Sequence, residues 1–299
     1  MPELPDVTVY VEKLAALFGG KRVDAVRVKS PFVVRSYEPP IQDLVGRKLA
    51  NTFNVGKRIA LEFSPELFVV VHLMVAGRFH LKERSAALGK IALCAFDFEN
   101  QTLLLTEASS KKRASIHIFR TREEVLAQAR GGIEPLAASF AEFQQALAAE
   151  NHTLKRTLTD PRLISGIGNA YSDEILFRAQ LSPMKRTKDL NERDARRLYE
   201  ATQSTLSEWV ERLRADAGDG FPEKVTAFRP EMAVHGKYKE PCPVCQTKVQ
   251  RIVYAENECN YCPTCQTGGK LLADRALSRL LHEDWPKTLE ELEERKAAR

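Results

Sequence analysis

SGIGNAYSDE, residues 165–174, is the stretch on which the fold turns. Gly166 and Gly168 open like a dinucleotide-binding loop, but Tyr171 stands where the third glycine belongs, and the preceding HTLKRTLTD has helical rather than strand spacing. A parallel α/β nucleotide fold is therefore disfavoured. Two glycines do permit a tight turn between helices. The helix opening at Asn169 then presents N-terminal N–H groups suited to a phosphate, with the Asn169 amide as a further donor. A glycine-rich helix connection with no ligand has the same pattern, so this stretch by itself predicts only a helix–turn–helix.

Working outward, residues 136–217 carry apolar side chains at spacings of three and four. They do so in FAEFQQALAAE, HTLKRTLTD, NAYSDEILFRAQ and ERDARRLYEATQSTLSEWVERL, which predicts an α-helical domain. Upstream, residues 6–18 form one helical stripe stopped by Gly19-Gly20. Eight short segments follow, several of them alternating: KRVDAVRVKS, RKLANTF, RIALEF, LFVVVHL, RFHLKE, IALCAFDF, QTLLLTE and ASIHIF. Such a series predicts an antiparallel sandwich or barrel. RGGIEP reads as a linker and DAGDGFPEK as a flexible loop. The expected class is α+β and multidomain: a β-sandwich with an N-terminal helix over 1–130, a helical domain over 131–235, a zinc ribbon over 236–268 and a charged helical tail over 269–299.

With 299 residues, 43% apolar and 28% charged, the composition is that of an ordinary folded protein. No run of eighteen apolar residues exists, and Glu3, Asp6 and Glu12 stand where a signal peptide would be basic. A cytoplasmic protein without membrane partners is expected. The net charge of +5 suits a polyanion only weakly. Residues 109–130 hold six basic residues, Lys111, Lys112, Arg113, Arg120, Arg122 and Arg130, against Glu123 and Glu124; a solvated loop is the favoured reading of that run over a ligand site.

Five of six cysteines fall within residues 242–265, while Cys94 reads as a small buried hydrophobe in a strand. CPVCQT at Cys242 and CPTCQT at Cys262 are nearly one hexapeptide repeated. Two CPxC turns at the ends of a hairpin place four thiolates around one tetrahedral zinc ion. Disulfides are the alternative, which the lack of a secretion signal disfavours. Cys259 forms a second two-residue spacing with Cys262, but the repeat favours Cys242, Cys245, Cys262 and Cys265 as ligands, with Cys259 a spare thiol. Four thiolates leave no open coordination position, so the ion is expected to be structural.

The chain opens MPELPDV, and a rigid, charged terminus suggests one that is held in place. PELPDV, the Lys57 strand, VHLMVAG, GIEPL, SGIGNAYSDE, VHGKYKEPCPVC and YCPTCQ together resemble the formamidopyrimidine-DNA glycosylase and endonuclease VIII family of repair enzymes. The resemblance runs through nearly the whole chain up to Gln266. It implies a helix-two-turn-helix domain, and a base-excision-repair DNA glycosylase with AP lyase activity acting as a monomer on damaged duplex DNA with a flipped nucleotide, in the cytoplasm and on the nucleoid. It implies further that Pro2, once Met1 is removed, is the nucleophile, whose secondary amine bonds to C1′ of the damaged nucleotide. Glu3 then protonates the opening sugar or exchanges protons with the nucleophile. Lys57 grips the adjacent phosphate, Asn169 holds the DNA backbone with Lys155 nearby, Glu174 and Asp6 support the site, and Val75, or Met74, is the apolar wedge that fills the place of the flipped base.

The sequence also departs from the family pattern. EASSKKRAS replaces the loop that carries the family's Arg and Phe wedge, leaving Lys112 and Arg113 but no aromatic residue there. Glu256 and Asn257 occupy the hairpin tip where the family has a glycine and a phosphate-binding arginine, with Lys248, Arg251 or a residue in 216–236 left to compensate. About thirty residues follow Gln266 and are expected to pack on the helical domain or bind a partner. Two rival readings follow: a catalytically weak damaged-DNA-binding protein on the same scaffold, and a zinc-ribbon transcription or translation factor. The lesion preferred is assigned to residues 216–236 without being specified.

Overall fold

The computed structural model describes residues 1–254, 257–273 and 286–297. It divides into two compact units: Met1–Arg130 with Ser207–Ala227, and Gly131–Leu206 with Phe228–Arg299.

The first unit begins with helix α1 (Leu4–Phe18) and continues through eight strands: β1 (Val23–Val28), β2 (Lys48–Val55), β3 (Arg58–Ser64), β4 (Leu67–His72), β5 (Gly77–Glu83), β6 (Ala92–Phe98), β7 (Gln101–Glu107) and β8 (Ser115–Phe119). They form two antiparallel sheets, ordered β2-β3-β4-β8 and β1-β6-β7-β5. Alternation explains how the sheets pack. Ile59, Leu61 and Phe63 of β3, Val69 and Val71 of β4, Leu103 and Leu105 of β7, and Ile116 and Ile118 of β8 all enter one core, which α1 joins through Val7, Tyr10, Leu14 and Phe18. The other face of the first sheet is also apolar, with Val55, Ala60, Phe68 and Val70 packed beneath Val125 of a short helix α2 (Arg122–Leu126). That helix lies in the basic run read as a loop. Its start was nevertheless written in the sequence, since Thr121 accepts the Glu124 N–H in a capping box. Arg122 is structural: it lies 4.3 Å over the Phe53 ring and pairs with Glu62 at 2.8 Å.

The second unit contains α3 (Phe140–Ala148), α4 (Leu154–Thr159), α5 (Asn169–Arg178) and the first part of α6 (Glu192–Ala217), then the two-stranded sheet of β9 (Gln250–Tyr254) and β10 (Asn257–Tyr261), and α7 (Pro263–Thr267). The chain passes between units along α6, whose last part and the following residues belong to the first unit. Of the tail, residues 271–273 have no regular structure and α8 spans Leu289–Ala297; the tail helix expected from about Leu271 otherwise falls outside the described residues, as do Ala255 and Glu256 of the hairpin tip. Leu289, Leu292 and Glu293 of α8 share a groove with Tyr238, Lys248 and Gln250, and Lys248 pairs with Glu293 at 2.6 Å.

Candidate active site and nucleic-acid interface

The chain start is largely covered. Met1 is half-buried, Pro2 is buried, Glu3 is 2% exposed and Asp6 3%. Glu3 is the N-cap of α1, and its N–H donates to the Asp6 carboxylate at 2.9 Å, while its carbonyl accepts the Val7 N–H at 2.9 Å. Asp6 therefore sets the angle at which the first residues leave the helix. The α-amino group here is that of Met1, one residue ahead of the amine exposed by initiator removal. Burial lowers its pKa most; Glu3 opposes, Arg78 lowers it further, Asp6 opposes, and Lys57 lowers it again. An amine in this setting is kept more fully in its free-base form than one in water.

Arg78 ties the surroundings together. Its Nε donates to the Val225 carbonyl at 2.6 Å and its Nη1 to the carbonyls of Gly77 at 2.6 Å and Val75 at 3.1 Å. Beside it, Phe221 packs on Tyr10 with ring centroids 5.5 Å apart, and Glu223 pairs with His80 and accepts the Leu81 N–H at 3.0 Å. A segment that reads as flexible from its glycines and acids is thus fastened along α1 and β5 by one ring, one carboxylate and one carbonyl.

Lys57 sits in the Gly56-Lys57 turn between β2 and β3. Near it the structure gathers basic side chains: Arg58, His72 and His117, which sequence reasoning missed, and Arg130 from the basic run, with Arg35 acting on His117. His72 is pushed down to about 4 by burial, then by Arg58, Lys57, Arg130 and His117; His117 is lowered by burial, Arg58 and Arg35; and Arg58 is lowered by burial and Arg130. Like charges that depress one another are what a phosphate would relieve. The only signal in the sequence was the pairing of alternate strand positions, visible once β3, β4 and β8 are known to be neighbours.

Val75 is 58% exposed on the turn between β4 and β5, where Met74 adopts a left-handed φ of 54° and a Cβ on Gly77 would lie 2.3 Å from the Leu73 carbonyl oxygen. In the loop before β8, the buried Glu107 carboxylate accepts the N–H groups of Arg113 at 2.9 Å and Ala114 at 3.1 Å, and Lys112 donates to the Glu107 carbonyl. The Lys112 ammonium is thereby turned onto its own loop, and Lys112 and Arg113 are both exposed.

In the second unit the opening stretch is a hub. Gly166 has a φ of 78°, and α5 starts at Asn169, whose Nδ2 donates to the Glu258 carbonyl at 2.7 Å. Lys155 is 6% exposed; its ammonium donates to the Asn169 carbonyl at 2.7 Å, Ser172 Oγ at 2.8 Å and the Asp173 carboxylate at 2.6 Å. Burial works against ionisation of Asp173, but Lys155 and a 2.8 Å bond to His235 Nδ1 hold its pKa below the ordinary value. Asp173 also accepts the Asn260 N–H at 3.1 Å. Glu174 accepts the N–H groups of Ala233, Val234 and His235 at 2.8, 2.9 and 2.9 Å. Lys155 and Glu174 therefore act on the backbone of their own unit, fixing the turn and the approach to the hairpin.

The four predicted cysteines converge. Among the described residues the thiols of Cys242, Cys245, Cys262 and Cys265 lie within 4.8 Å of one another, with Cys245–Cys262 at 3.3 Å and Cys242–Cys265 at 3.9 Å. A tetrahedron with zinc–sulfur bonds of about 2.3 Å has sulfur–sulfur edges of about 3.8 Å, so the donor set fits one zinc ion. Without an ion the thiols diverge: burial opposes ionisation at Cys245 but bonds from Thr247, Cys262 and Cys265 bring it to about 6, while burial and Cys245 push Cys262 to about 11 and Cys265 higher. Cys259 is outside the cluster, 1% exposed on β10, its thiol raised by burial and by Asp173. Lys248 faces Glu293 and Arg251 faces Glu258 at 3.1 Å.

Comparison with known proteins agrees with this architecture. The family described as formamidopyrimidine-DNA glycosylase N-terminal domain matches residues 1–112, and the formamidopyrimidine-DNA glycosylase H2TH domain matches residues 132–217. The chain is 32% identical over 275 residues to a formamidopyrimidine-DNA glycosylase of Bacillus cereus, covering 89% of this chain and 99% of the relative, and 28% identical over 281 residues to that of Listeria monocytogenes, covering 89% and 100%. Solved structures of Lactococcus lactis Fpg have the same fold. That of a complex with abasic-site DNA has a TM-score of 0.80 at 23% identity over 89% of this chain and 99% of that one, and a complex with Fapy-dG DNA has 0.79 at 24% over 89% and 100%. On the strength of both matched domains, and of a relative covered almost end to end, the chain belongs to the formamidopyrimidine-DNA glycosylase family.

Proposed function

We propose that this chain is a base-excision DNA glycosylase with AP lyase activity, in which the Pro2 amine is the nucleophile. The observation that carries the reading is the setting of the terminus: Glu3 and Asp6 are buried at the start of α1, and burial, with the charges of Arg78 and Lys57, lowers the pKa of the terminal amine against the opposing effect of Glu3 and Asp6. After removal of Met1, the Pro2 nitrogen forms a bond to C1′ as the bond from C1′ to the base breaks, and the departing base takes up a proton. Glu3 delivers a proton to the sugar oxygen as the ring opens, leaving an iminium between Pro2 and C1′. The iminium acidifies the C2′ proton; its loss expels the 3′ phosphate, and water then releases the amine. Lys57, with Arg58 and His72 beside it, binds the phosphates that flank the extruded nucleotide.

The second unit contributes grip rather than chemistry. Asn169 and the start of α5 hold the DNA backbone, Lys155 and Glu174 orient them, and zinc on Cys242, Cys245, Cys262 and Cys265 stiffens a hairpin too small to have a core of its own. Among the described residues no helix is long and apolar enough to cross a membrane, and the enzyme works as a monomer in the compartment that holds the DNA, the cytoplasm with its nucleoid.

Borohydride reduction in the presence of an abasic duplex tests the proposal. The wild-type chain should form a covalent adduct that peptide mapping places on Pro2, and Pro2→Gly and Glu3→Gln should abolish turnover while retaining DNA binding. An adduct on a lysine, or full activity from protein that retains Met1, refutes the assigned nucleophile.

A further inference from the structure

Phe32 is 77% exposed, although the turn that carries it is firmly anchored. Pro31 starts a 3-10 turn over Pro31–Val33, the Val33 N–H returns to the Ser30 carbonyl at 3.0 Å, Val33 itself is 3% exposed in the main core, and the Ser30 N–H reaches the Leu93 carbonyl at 3.1 Å. A lone exposed phenylalanine needs no explanation. This one has neighbours. Val34 bridges Ile116 in parallel, and the Arg35 N–H donates to the Ile116 carbonyl at 2.8 Å, so that the turn carrying Phe32 lies toward the Ala114 end of β8. His72 pairs with Ser115 on the opposite side of β8, so the Met74-Val75 turn leaves the sheet at the same end.

One end of the sheet β2-β3-β4-β8 thus carries two outward apolar side chains, Phe32 and Val75, with the root of the Lys112-Arg113 loop between them. Two strand spacings of about 4.8 Å separate the chains that bear them. Both are held by special backbone: a proline-led turn at Phe32, and a left-handed residue with an obligatory glycine at Val75. Apolar residues presented rigidly among cations match the chemistry of a base stack flanked by phosphates, and extruding a nucleotide opens a step into which such side chains insert.

Building on the proposed glycosylase reading, we infer that Phe32 is a second wedge residue, which stacks on a base beside the extruded nucleotide while Val75 fills the place of the extruded base itself. The chain then has its aromatic wedge on the turn after β1. Phe32 is a positioning residue: it touches neighbouring bases and acts on the reaction by holding the extruded state.

The test uses the full metal-loaded chain and duplexes carrying a damaged base or an abasic site, with 2-aminopurine in the adjoining step as the fluorescent probe. Phe32→Ala should weaken binding to the lesion duplex about five- to thirty-fold, a span that suits loss of one base–aromatic stack. It should leave the salt dependence of binding unchanged, since no phosphate contact is removed. It should also abolish the 2-aminopurine change that the wild type produces. Phe32→Trp should restore affinity and show tryptophan quenching on lesion duplex. Wild-type affinity and an unaltered 2-aminopurine signal in Phe32→Ala overturn the inference, as does a loss that Phe32→Trp fails to rescue. The two readings separate cleanly: failure of the wild type to form the borohydride adduct refutes the nucleophile but leaves the stacking signal to decide on Phe32.

Discussion

Glu3 and Asp6 show how one hydrogen bond organises a terminus: Asp6 accepts the Glu3 N–H, and the residues ahead of it are buried where Arg78 and Lys57 bias the amine toward its neutral form. Because Arg78 lowers the amine's pKa, Arg78→Met should raise it, moving the acid limb of the single-turnover pH profile to higher pH; an unmoved limb would show that Arg78 serves only the Val75 and Val225 carbonyls. His72 supplies a second pH signal. Held at about 4 in the free protein, it is neutral near pH 7, and a bound phosphate raises its pKa by favouring the cation. Binding should therefore take up protons and tighten as pH falls from 7 toward 5, and His72→Gln should flatten that trend, as read by isothermal titration in buffers of different ionisation enthalpy. Of these residues the sequence exposed Pro2, Glu3, Asp6 and Lys57 as motif positions; His72 and Arg78 acquire meaning only through strands that bring distant numbers together.

At the scale of elements, α5 carries more than its length suggests. Asp173 and Glu174, adjacent in its second turn, bind His235 and Asn260 on one side and three consecutive N–H groups on the other, which fastens the zinc hairpin to the helical turn. Breaking the buried Lys155–Asp173 pair by Lys155→Met should cost about 3–5 kcal/mol, because it leaves a carboxylate without its counter-charge. Calorimetry would register this as a fall in the melting temperature of the second unit, and a change below 1 kcal/mol would deny Lys155 its positioning role. Chelation of the metal, or Cys262→Ser, should melt β9 and β10 and remove tight DNA binding while circular dichroism of the β-rich unit persists. The eight strands were legible from alternation and turn signals, and α3 to α6 from their spacing. α2 was hidden by its charge, since a run of cations reads as solvent-exposed until Val125 is seen closing the apolar outer face of the sheet.

For the whole molecule, two cores imply two separable stabilities. Calorimetry on the metal-loaded chain should resolve two transitions, with Phe96→Ala, 1% exposed in the core of the first unit, lowering one by about 3–5 kcal/mol and chelation lowering the other. A single transition moved by both would show the units to be one cooperative body. The surface pair of Lys248 with Glu293 should matter little to either, with Glu293→Ala changing stability by less than about 1 kcal/mol, because both side chains are more than half exposed.

What the sequence by itself determined was local and periodic: which segments alternate, which repeat every three or four residues, where glycines permit a turn, and which four thiols share a spacing. These follow from short-range geometry, so they survive without knowledge of the fold. Only the tertiary structure decided that residues 221–225 lie along α1 and β5, that Lys155 turns inward to Asp173, that basic side chains of three strands lower one another's pKa near Lys57, and that the turn carrying Phe32 lies at the end of the sheet where β8 begins. Each depends on which strands become neighbours and on how far water is excluded, and a linear spacing carries neither.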